Sequence, residues 1–207
     1  MASYLWIGGT TDAGKTTQAR RLALFHTLAL LECDRRDAAE HERIAAHSPA
    51  YRAFLEMTPD ERWVQHTPEW LLANTLESHR DRFPLILEDA ARLARRGRPV
   101  LIEGWDLTPE LVAPLLEDPR RAVWMIPTET FKRRSWERRG KPAWKSQVSD
   151  PELGAANAFG RDVLLGEEIE RQARALGFDV MTVDGSLSED ETTHRLEARF
   201  APFLESD

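Results

Sequence analysis

Residues 9–17 of the chain read GTTDAGKTT and directly follow a short apolar run at residues 4–7, YLWI. Four members of the segment fit the pattern G-x-x-x-x-G-K-[ST] without a mismatch, namely Gly9, Gly14, Lys15 and Thr16. Residues 18–26 then space their apolar side chains as one face of a helix. The order strand, glycine-rich loop and helix places backbone N–H groups and the positive end of a helix dipole around an anion. The sequence therefore predicts a phosphate-binding loop.

Within this loop, we expect Lys15 to reach the β- and γ-phosphates of a nucleotide and Thr16 to offer its hydroxyl to Mg²⁺. Asp12 is expected to be exposed, with no role of its own. A chance glycine-rich turn is the alternative interpretation, but the flanking strand and helix argue against it. The residues expected to contact the nucleotide are Gly9, Thr10, Thr11, Asp12, Ala13, Gly14, Lys15, Thr16 and Thr17.

The composition gives room for a full core, because 42% of the 207 residues are hydrophobic and 30% are charged. A net charge of −7 argues against a nucleic-acid partner, and no apolar run approaches the roughly 20 residues of a membrane helix. Cys33 is the only cysteine, so no intrachain disulfide can form. We expect a cytoplasmic protein whose partner is a small-molecule acceptor, with a homodimer left open.

Five short apolar runs alternate with segments of helical periodicity, which predicts a three-layer α/β fold with a parallel sheet. The runs are Tyr4 to Ile7, Leu28 to Glu32, Pro99 to Glu103, Ala122 to Ile126 and Phe178 to Val183. Helices are expected to begin at prolines that follow a capping residue: Pro49, Pro59, Pro68, Pro109 and Pro151. We expect one domain over residues 1–207, with a helical insertion over about 48–96 that serves substrate binding.

Carboxylates end the second and third predicted strands, at the sheet edge where ligands bind in such folds. Asp34 is a candidate for orienting and deprotonating an acceptor hydroxyl, although it could equally cap the following helix. Glu103 is a candidate Mg²⁺ contact together with Thr16, although a salt bridge or an acceptor contact is the alternative. The residues proposed for acceptor binding are Arg35, Trp63, Trp70 and Trp105.

A basic segment follows the fourth predicted strand and contrasts with the net negative charge of the chain. Such a segment could close over the triphosphate as a lid over about residues 131–161, or it could be a solvated face. Asn157 and Arg161, four residues apart in a predicted helix, are both expected to face these phosphates. The buried stripe of that helix is expected at Phe159, Val163, Ile169, Ala173 and Leu176. The turn at Gly185 is expected to border the adenine. The basic residues of the segment are Lys132, Arg133, Arg134, Arg138, Arg139, Lys141 and Lys145.

Taken together, these features resemble the P-loop kinases of the shikimate, gluconate, nucleoside monophosphate and chloramphenicol phosphotransferase group. The resemblance implies a parallel five-stranded sheet in the order 2-3-1-4-5, helices on both faces and a lid. It implies that Gly14, Lys15 and Thr16 hold ATP and Mg²⁺ and that Asp34 faces the acceptor. The arginines implied to clamp the phosphates are Arg133, Arg134, Arg138, Arg139 and Arg161.

The predicted function is transfer of the γ-phosphoryl group of ATP to a hydroxyl of a small molecule. Its catalytic residues would be Lys15, Asp34, Arg138 and Arg161, with Arg134 and Gly185 at the nucleotide. Two alternatives remain: a nucleotide-binding switch or regulator, and a resistance protein that sequesters a ligand without phosphotransfer. The sequence contains no N-K-x-D guanine signature.

Overall fold

A computed structural model describes residues 4–35, 41–139 and 143–204. Its five strands form one parallel sheet in the order β2-β3-β1-β4-β5. The strands are β1 Tyr4–Gly9, β2 Ala29–Glu32, β3 Val100–Glu103, β4 Ala122–Pro127 and β5 Val180–Val183. The helices are α1 Lys15–Phe25, α2 His41–His47, α3 Pro49–Glu56, α4 Pro59–Trp63, α5 Pro68–Ala94, α6 Pro109–Val112, α7 Glu129–Arg139, α8 Pro151–Leu176 and α9 Glu189–Leu204.

Helices cover both faces of the sheet, and successive side chains of β1 point alternately to the two faces. Leu5 and Ile7 pack with Leu22 of α1 and Phe200 of α9, whereas Trp6 packs in a second cluster. That second cluster takes its helical side chains mainly from α5 and α8. The predicted three-layer α/β fold and the strand order are therefore confirmed.

All five strands run in the same direction, so their carboxyl ends meet at one edge of the sheet. Glu32 and Glu103 are register partners at this edge, and Gly9 lies opposite Met125. The phosphate-binding loop therefore leaves the sheet beside both acidic strand ends. Every candidate site that follows is built on this edge.

The five predicted helix starts at prolines are confirmed. The side chains of Ser48, Thr58, Thr67 and Asp150 each accept a hydrogen bond from the first turn of their helix, whereas Thr108 does not. Before α9, Ser188 and Glu191 form a capping box: the Ser188 N–H donates to the Glu191 carboxylate, and the Glu191 N–H donates to the Ser188 hydroxyl.

The buried stripe predicted for α8 is confirmed in part. Ile169 and Ala173 are buried, whereas Leu176, at the last position of the helix, is 47% exposed. Leu165 and Asp162, which the prediction left out, are buried as well. Within the described ranges, no helix is long and apolar enough to cross a membrane.

Candidate active site

The phosphate-binding loop has the backbone that its glycines predict. Gly14 begins α1 in a left-handed conformation with φ of 79°. A Cβ at Gly9 would lie 2.0 Å from the carbonyl oxygen of Met125, so no other residue fits there. The buried Lys15 folds back over the loop, and its Nζ donates to the Thr10 carbonyl at 2.7 Å. A lysine held in this way can exchange a backbone carbonyl for a phosphate oxygen.

The two predicted metal residues are brought together. The Thr16 hydroxyl donates to the Glu103 carboxylate, at 3.2 Å and 3.3 Å from its two oxygens. The pKa of Glu103 is raised to about 7. Burial is the main cause, the charge of Lys15 opposes it, and the nearby Asp34 and Glu32 carboxylates add to the rise. Glu103 thus lies in a buried, acidic corner beside the loop.

The oxygen atoms of Thr16 and Glu103 are of the kind that Mg²⁺ prefers, so these residues fit the predicted ion. Within the described residues, no group of three or more His, Cys, Asp or Glu side chains could hold a metal alone. A Mg²⁺ ion here would depend on nucleotide phosphates for further ligands, as Mg²⁺ sites in kinases commonly do.

Asp34 lies exposed in the helical residues 33–35, just after β2. Its carboxylate accepts a hydrogen bond from the backbone N–H of Trp105 at 3.3 Å, which ties the end of β2 to the segment after β3. Its charge also contributes to the raised pKa of both Glu103 and Asp106. Asp34 is therefore beside the predicted metal residues and open to solvent.

Two of the predicted acceptor residues meet through Arg161. The Arg161 guanidinium lies 5.1 Å from the ring centre of Trp105 and 5.6 Å from that of Trp63. Trp63 also stacks on Trp144, with ring centres 4.7 Å apart. Contacts of this kind hold the cation between aromatic faces. Asn157, expected to face the phosphates, instead donates to the Trp63 carbonyl at 3.0 Å.

The other two predicted acceptor residues lie elsewhere. Trp70 stacks on His66, with ring centres 3.5 Å apart. Arg35 has a side chain that is 77% exposed and lies 3.6 Å from the Glu32 carboxylate. Their roles in acceptor binding stay predictions.

A polar cavity that the sequence did not indicate lies beside Trp105 and Arg161. It measures about 60 Å³, and α5 contributes Ser78, His79 and Arg82 to its lining. These residues occupy the buried side of a long helix, where a pattern of buried positions normally signifies packing. No local sequence signal distinguishes this cavity from core.

The helix α7 brings three predicted nucleotide residues together. Arg134, Arg138 and Gly185 line one cavity of about 540 Å³ with Phe131. Gly185 has φ of 87°, and a Cβ there would lie 2.9 Å from the Phe131 ring, so glycine allows the turn after β5 to approach α7 closely.

The expectation that Asp12 is exposed is wrong. Asp12 is buried, with φ of 66°, and its carboxylate accepts from Lys132, Ser135 and the Trp136 ring N–H at 3.0 Å each. Arg139 adds an ion pair at 3.1 Å. Burial raises the pKa of Asp12, but the charge and hydrogen bond of Lys132 outweigh it and leave the pKa lowered. Asp12 therefore fastens the phosphate-binding loop to α7.

Lys132 is the centre of this connection, although the sequence indicated only a lid cation. Its buried Nζ lies 3.0 Å from the Asp12 carboxylate, 2.8 Å from Asp162 and 2.6 Å from the Thr11 hydroxyl. Asp162 in turn pairs with Arg161 at 2.7 Å. A continuous set of charges thus joins the loop, α7 and the polar cavity.

We expect Lys132→Met to lower the free energy of unfolding by about 3 kcal/mol, because two buried carboxylates lose a shared cation. This value is at the low end of the destabilisation usual for a broken buried ion pair, about 3–5 kcal/mol. The reason is that Asp12 is still paired with Arg139 and Asp162 is still paired with Arg161. Urea denaturation measures the change. The neighbouring Arg133→Met is the control: its exposed pair with Glu129 contributes about 0.5 kcal/mol or less. Equal stability of the two variants would contradict the assignment.

The ion pairs of Lys132 with Asp12 and Asp162 make the free energy of unfolding depend on pH. The pKa values of Asp12 and Asp162 are both lowered in the folded protein. Burial opposes this lowering, Lys132 contributes to it at both carboxylates, and at Asp162 the charge of Arg161 contributes more than the charge of Lys132. Their stabilisation is complete above the pKa of the unfolded carboxyls, about 4, and is lost as pH falls through the lowered values. We expect a smaller loss on acidification in Lys132→Met than in wild type, measured by urea denaturation between pH 3 and 6. A loss equal in both proteins would contradict this origin.

Comparison of the sequence with protein-family models and with curated proteins gives no match. Comparison with solved structures gives matches over nearly the whole chain. The thymidylate kinase of Candida albicans matches with a TM-score of 0.54 and 15% identity over 97% of this chain and 92% of that one. Shikimate kinase from Acinetobacter baumannii, solved with shikimate, gives a TM-score of 0.49 and 16% identity over 99% and 97% of the two chains. The chain therefore shares the three-layer α/β fold of this thymidylate kinase.

Proposed function

We propose that this protein transfers the γ-phosphoryl group of Mg-ATP to a hydroxyl of a small molecule. The observation that carries the proposal is the meeting of three elements at one sheet edge. These are a complete phosphate-binding loop with Lys15 and Thr16, the acidic pair of Glu103 and Asp34, and a polar cavity beside Trp105. The loop suits a nucleotide, Glu103 suits the Mg²⁺ that accompanies it, and Asp34 and the cavity suit an acceptor.

At the nucleotide end, Lys15 would bind the β- and γ-phosphates, with the N–H groups at the start of α1. The cavity lined by Phe131, Arg134 and Gly185 is large enough for the base, and the Phe131 ring offers an aromatic contact. Thr16 and Glu103 would hold Mg²⁺, which when bound neutralises charge on the phosphate oxygens.

At the acceptor end, Asp34 would accept the proton of the acceptor hydroxyl while the oxygen of that hydroxyl forms a bond to the γ-phosphorus. The bond between that phosphorus and the bridging oxygen breaks, and the electron pair leaves with ADP. Arg138 and Arg139 would balance charge on the transferred group, whereas Arg161, which lines the polar cavity, would contact the acceptor. The segment over about 131–161 would act as the lid that excludes water.

Acceptor-stimulated release of ADP tests the proposal. A coupled assay with Mg-ATP and a panel of hydroxyl compounds should show ADP release that one acceptor increases at least tenfold over the basal rate. A switch or a sequestering protein would bind ATP with the same slow hydrolysis whatever acceptor is added.

We expect replacement of Arg138 and Arg139 together by Met to lower turnover roughly 10- to 100-fold and to change ATP affinity much less. The charge that they neutralise is greatest in the transition state. Steady-state kinetics and ATP titration separate the two effects. Arg133, which the resemblance also implied for the phosphates, is 60% exposed, pairs with Glu129 and does not line the cavity of Arg134 and Arg138. Arg133→Met should therefore leave both values near wild type. Unchanged turnover in the double variant would assign these arginines to a solvated surface.

A further inference from the structure

Buried polar atoms on α5 lack hydrogen-bond partners within the part of the chain that the structure describes. They are the hydroxyl of Ser78, which is 5% exposed, and both ring nitrogens of His79, which is 1% exposed. Buried polar groups are otherwise nearly always paired, because an unpaired one destabilises the folded state. Both residues line the polar cavity beside Trp105, so a ligand there could supply the partners.

The cavity is positively charged at its wall. Arg82 and Arg161 line it, and among the residues that the structure describes no Asp or Glu does. Each arginine has its carboxylate partner, Asp106 at 2.8 Å and Asp162 at 2.7 Å, but neither carboxylate is part of the lining. Burial, followed by the charges of Arg82 and Arg161, lowers the pKa of His79 well below its ordinary value. The imidazole is therefore neutral in a field that favours anions.

The remaining lining consists of three aromatic residues and the neutral polar residues Asn74 and Thr75. Tyr51, Phe54 and Trp105 border the same space, and the Arg82 guanidinium lies 5.5 Å from the ring centre of Tyr51. A volume of about 60 Å³ suits a small group such as a carboxylate, with the aromatic rings beside whatever planar or apolar part carries it.

We infer that this cavity binds an anionic group of the acceptor, a carboxylate or a phosphate ester, through Arg82, Arg161 and His79. The identification of this anion as part of the acceptor rests on the proposed function, whereas binding of an anion in the cavity does not depend on phosphotransfer. The acceptor class is then a hydroxyl compound that carries a negative charge, and the uncharged analogue is rejected because it leaves buried polar groups unpaired.

Three aromatic probes test this inference by ligand-observed NMR or calorimetry: benzoate, phenyl phosphate and neutral benzamide. We expect wild type to bind at least one anionic probe tenfold or more tightly than benzamide. Benzoate and phenyl phosphate compared with each other show which anion the cavity prefers. Lys15→Ala should keep the benzoate affinity, which separates this cavity from the phosphate-binding loop. Equal binding of all three probes, or no saturable binding, would overturn the inference.

Arg161→Met should weaken binding of the preferred anion at least tenfold. It should also fold, because Asp162 keeps Lys132 and Thr11 as partners. Arg80→Met is the matched control: Arg80 is an arginine of α5 with a 52% exposed side chain that does not line the cavity, and the variant should bind within twofold of wild type. Unchanged affinity in Arg161→Met would contradict the inference.

His79→Leu separates ligand binding from a structural role. Leucine removes two buried nitrogens without partners, so we expect the Tm of the free protein to rise by roughly 2–4 °C while anion affinity falls at least fivefold. A histidine required for packing would instead lower the Tm, and unchanged anion affinity would overturn the inference. Anion binding without any phosphotransfer would contradict only the proposed function, whereas phosphotransfer to an uncharged acceptor with no anion binding would contradict only this inference.

Discussion

Lys15→Ala is expected to weaken Mg-ATP binding roughly 10- to 100-fold, because a charged group that hydrogen-bonds phosphate contributes about 1.5–3 kcal/mol. Turnover should fall by a further factor of roughly 10²–10³, since charge on the phosphate oxygens increases in the transition state. The fold should survive, because the ammonium of Lys15 contacts the Thr10 carbonyl and contributes no apolar packing.

Titration with Mg-ATP measures the affinity, and circular dichroism confirms that the variant is folded. Arg120→Ala is the control, since Arg120 lies just before the amino end of β4, is 57% exposed and pairs with Asp118. It should bind nucleotide as wild type does. Equal ATP affinity of Lys15→Ala and wild type would remove the basis for nucleotide binding at this loop.

The second large effect is expected for Asp34→Asn, in which transfer to the true acceptor should fall roughly 10²- to 10⁴-fold, as is typical of a lost general base. Asparagine keeps the size of the side chain, and its carbonyl oxygen can still accept from the Trp105 N–H. ATP binding should therefore persist. The Asp34 charge also raises the pKa of Glu103, so its removal makes Glu103 ionise more readily and does not impair metal binding.

Glu103→Gln is the control for this variant. Its loss of activity should be concentrated in the Mg²⁺ dependence, measured as the Mg²⁺ concentration that gives half-maximal turnover. If Asp34 only caps a helix, Asn caps about as well, and both turnover and stability should stay close to wild type. Turnover of Asp34→Asn equal to that of wild type would contradict the assignment of Asp34 as the general base.

Much of the fold could be predicted because its signals are local. The apolar runs mark all five strands, and prolines after capping residues mark helix starts such as Pro68 and Pro151. The motif around Lys15 gives strand, loop and helix within one short segment. Each of these rests on neighbouring residues, for which steric preference and hydrogen bonding are decided within one turn of chain.

The site was less predictable because its contacts are distant in sequence. Lys132 meets Asp12 across 120 positions, and Thr11 meets Asp162 across 151 positions. A basic segment gives no sign of which cation will be buried between two carboxylates. His79 likewise occupies a position that periodicity assigns to packing, and only the structure shows that its ring nitrogens lack partners within the described residues.

The most direct test of the central claim follows the phosphoryl group itself. The protein is incubated with Mg-ATP labelled at the γ-phosphate and a mixture of small hydroxyl compounds, with and without anionic groups, and the products are separated. We expect the label in an organic phosphate ester, together with a matching amount of ADP. Lys15→Ala should form neither the labelled ester nor ADP. Label found only in inorganic phosphate, at a rate that the mixture does not change, would contradict phosphotransfer to a small molecule.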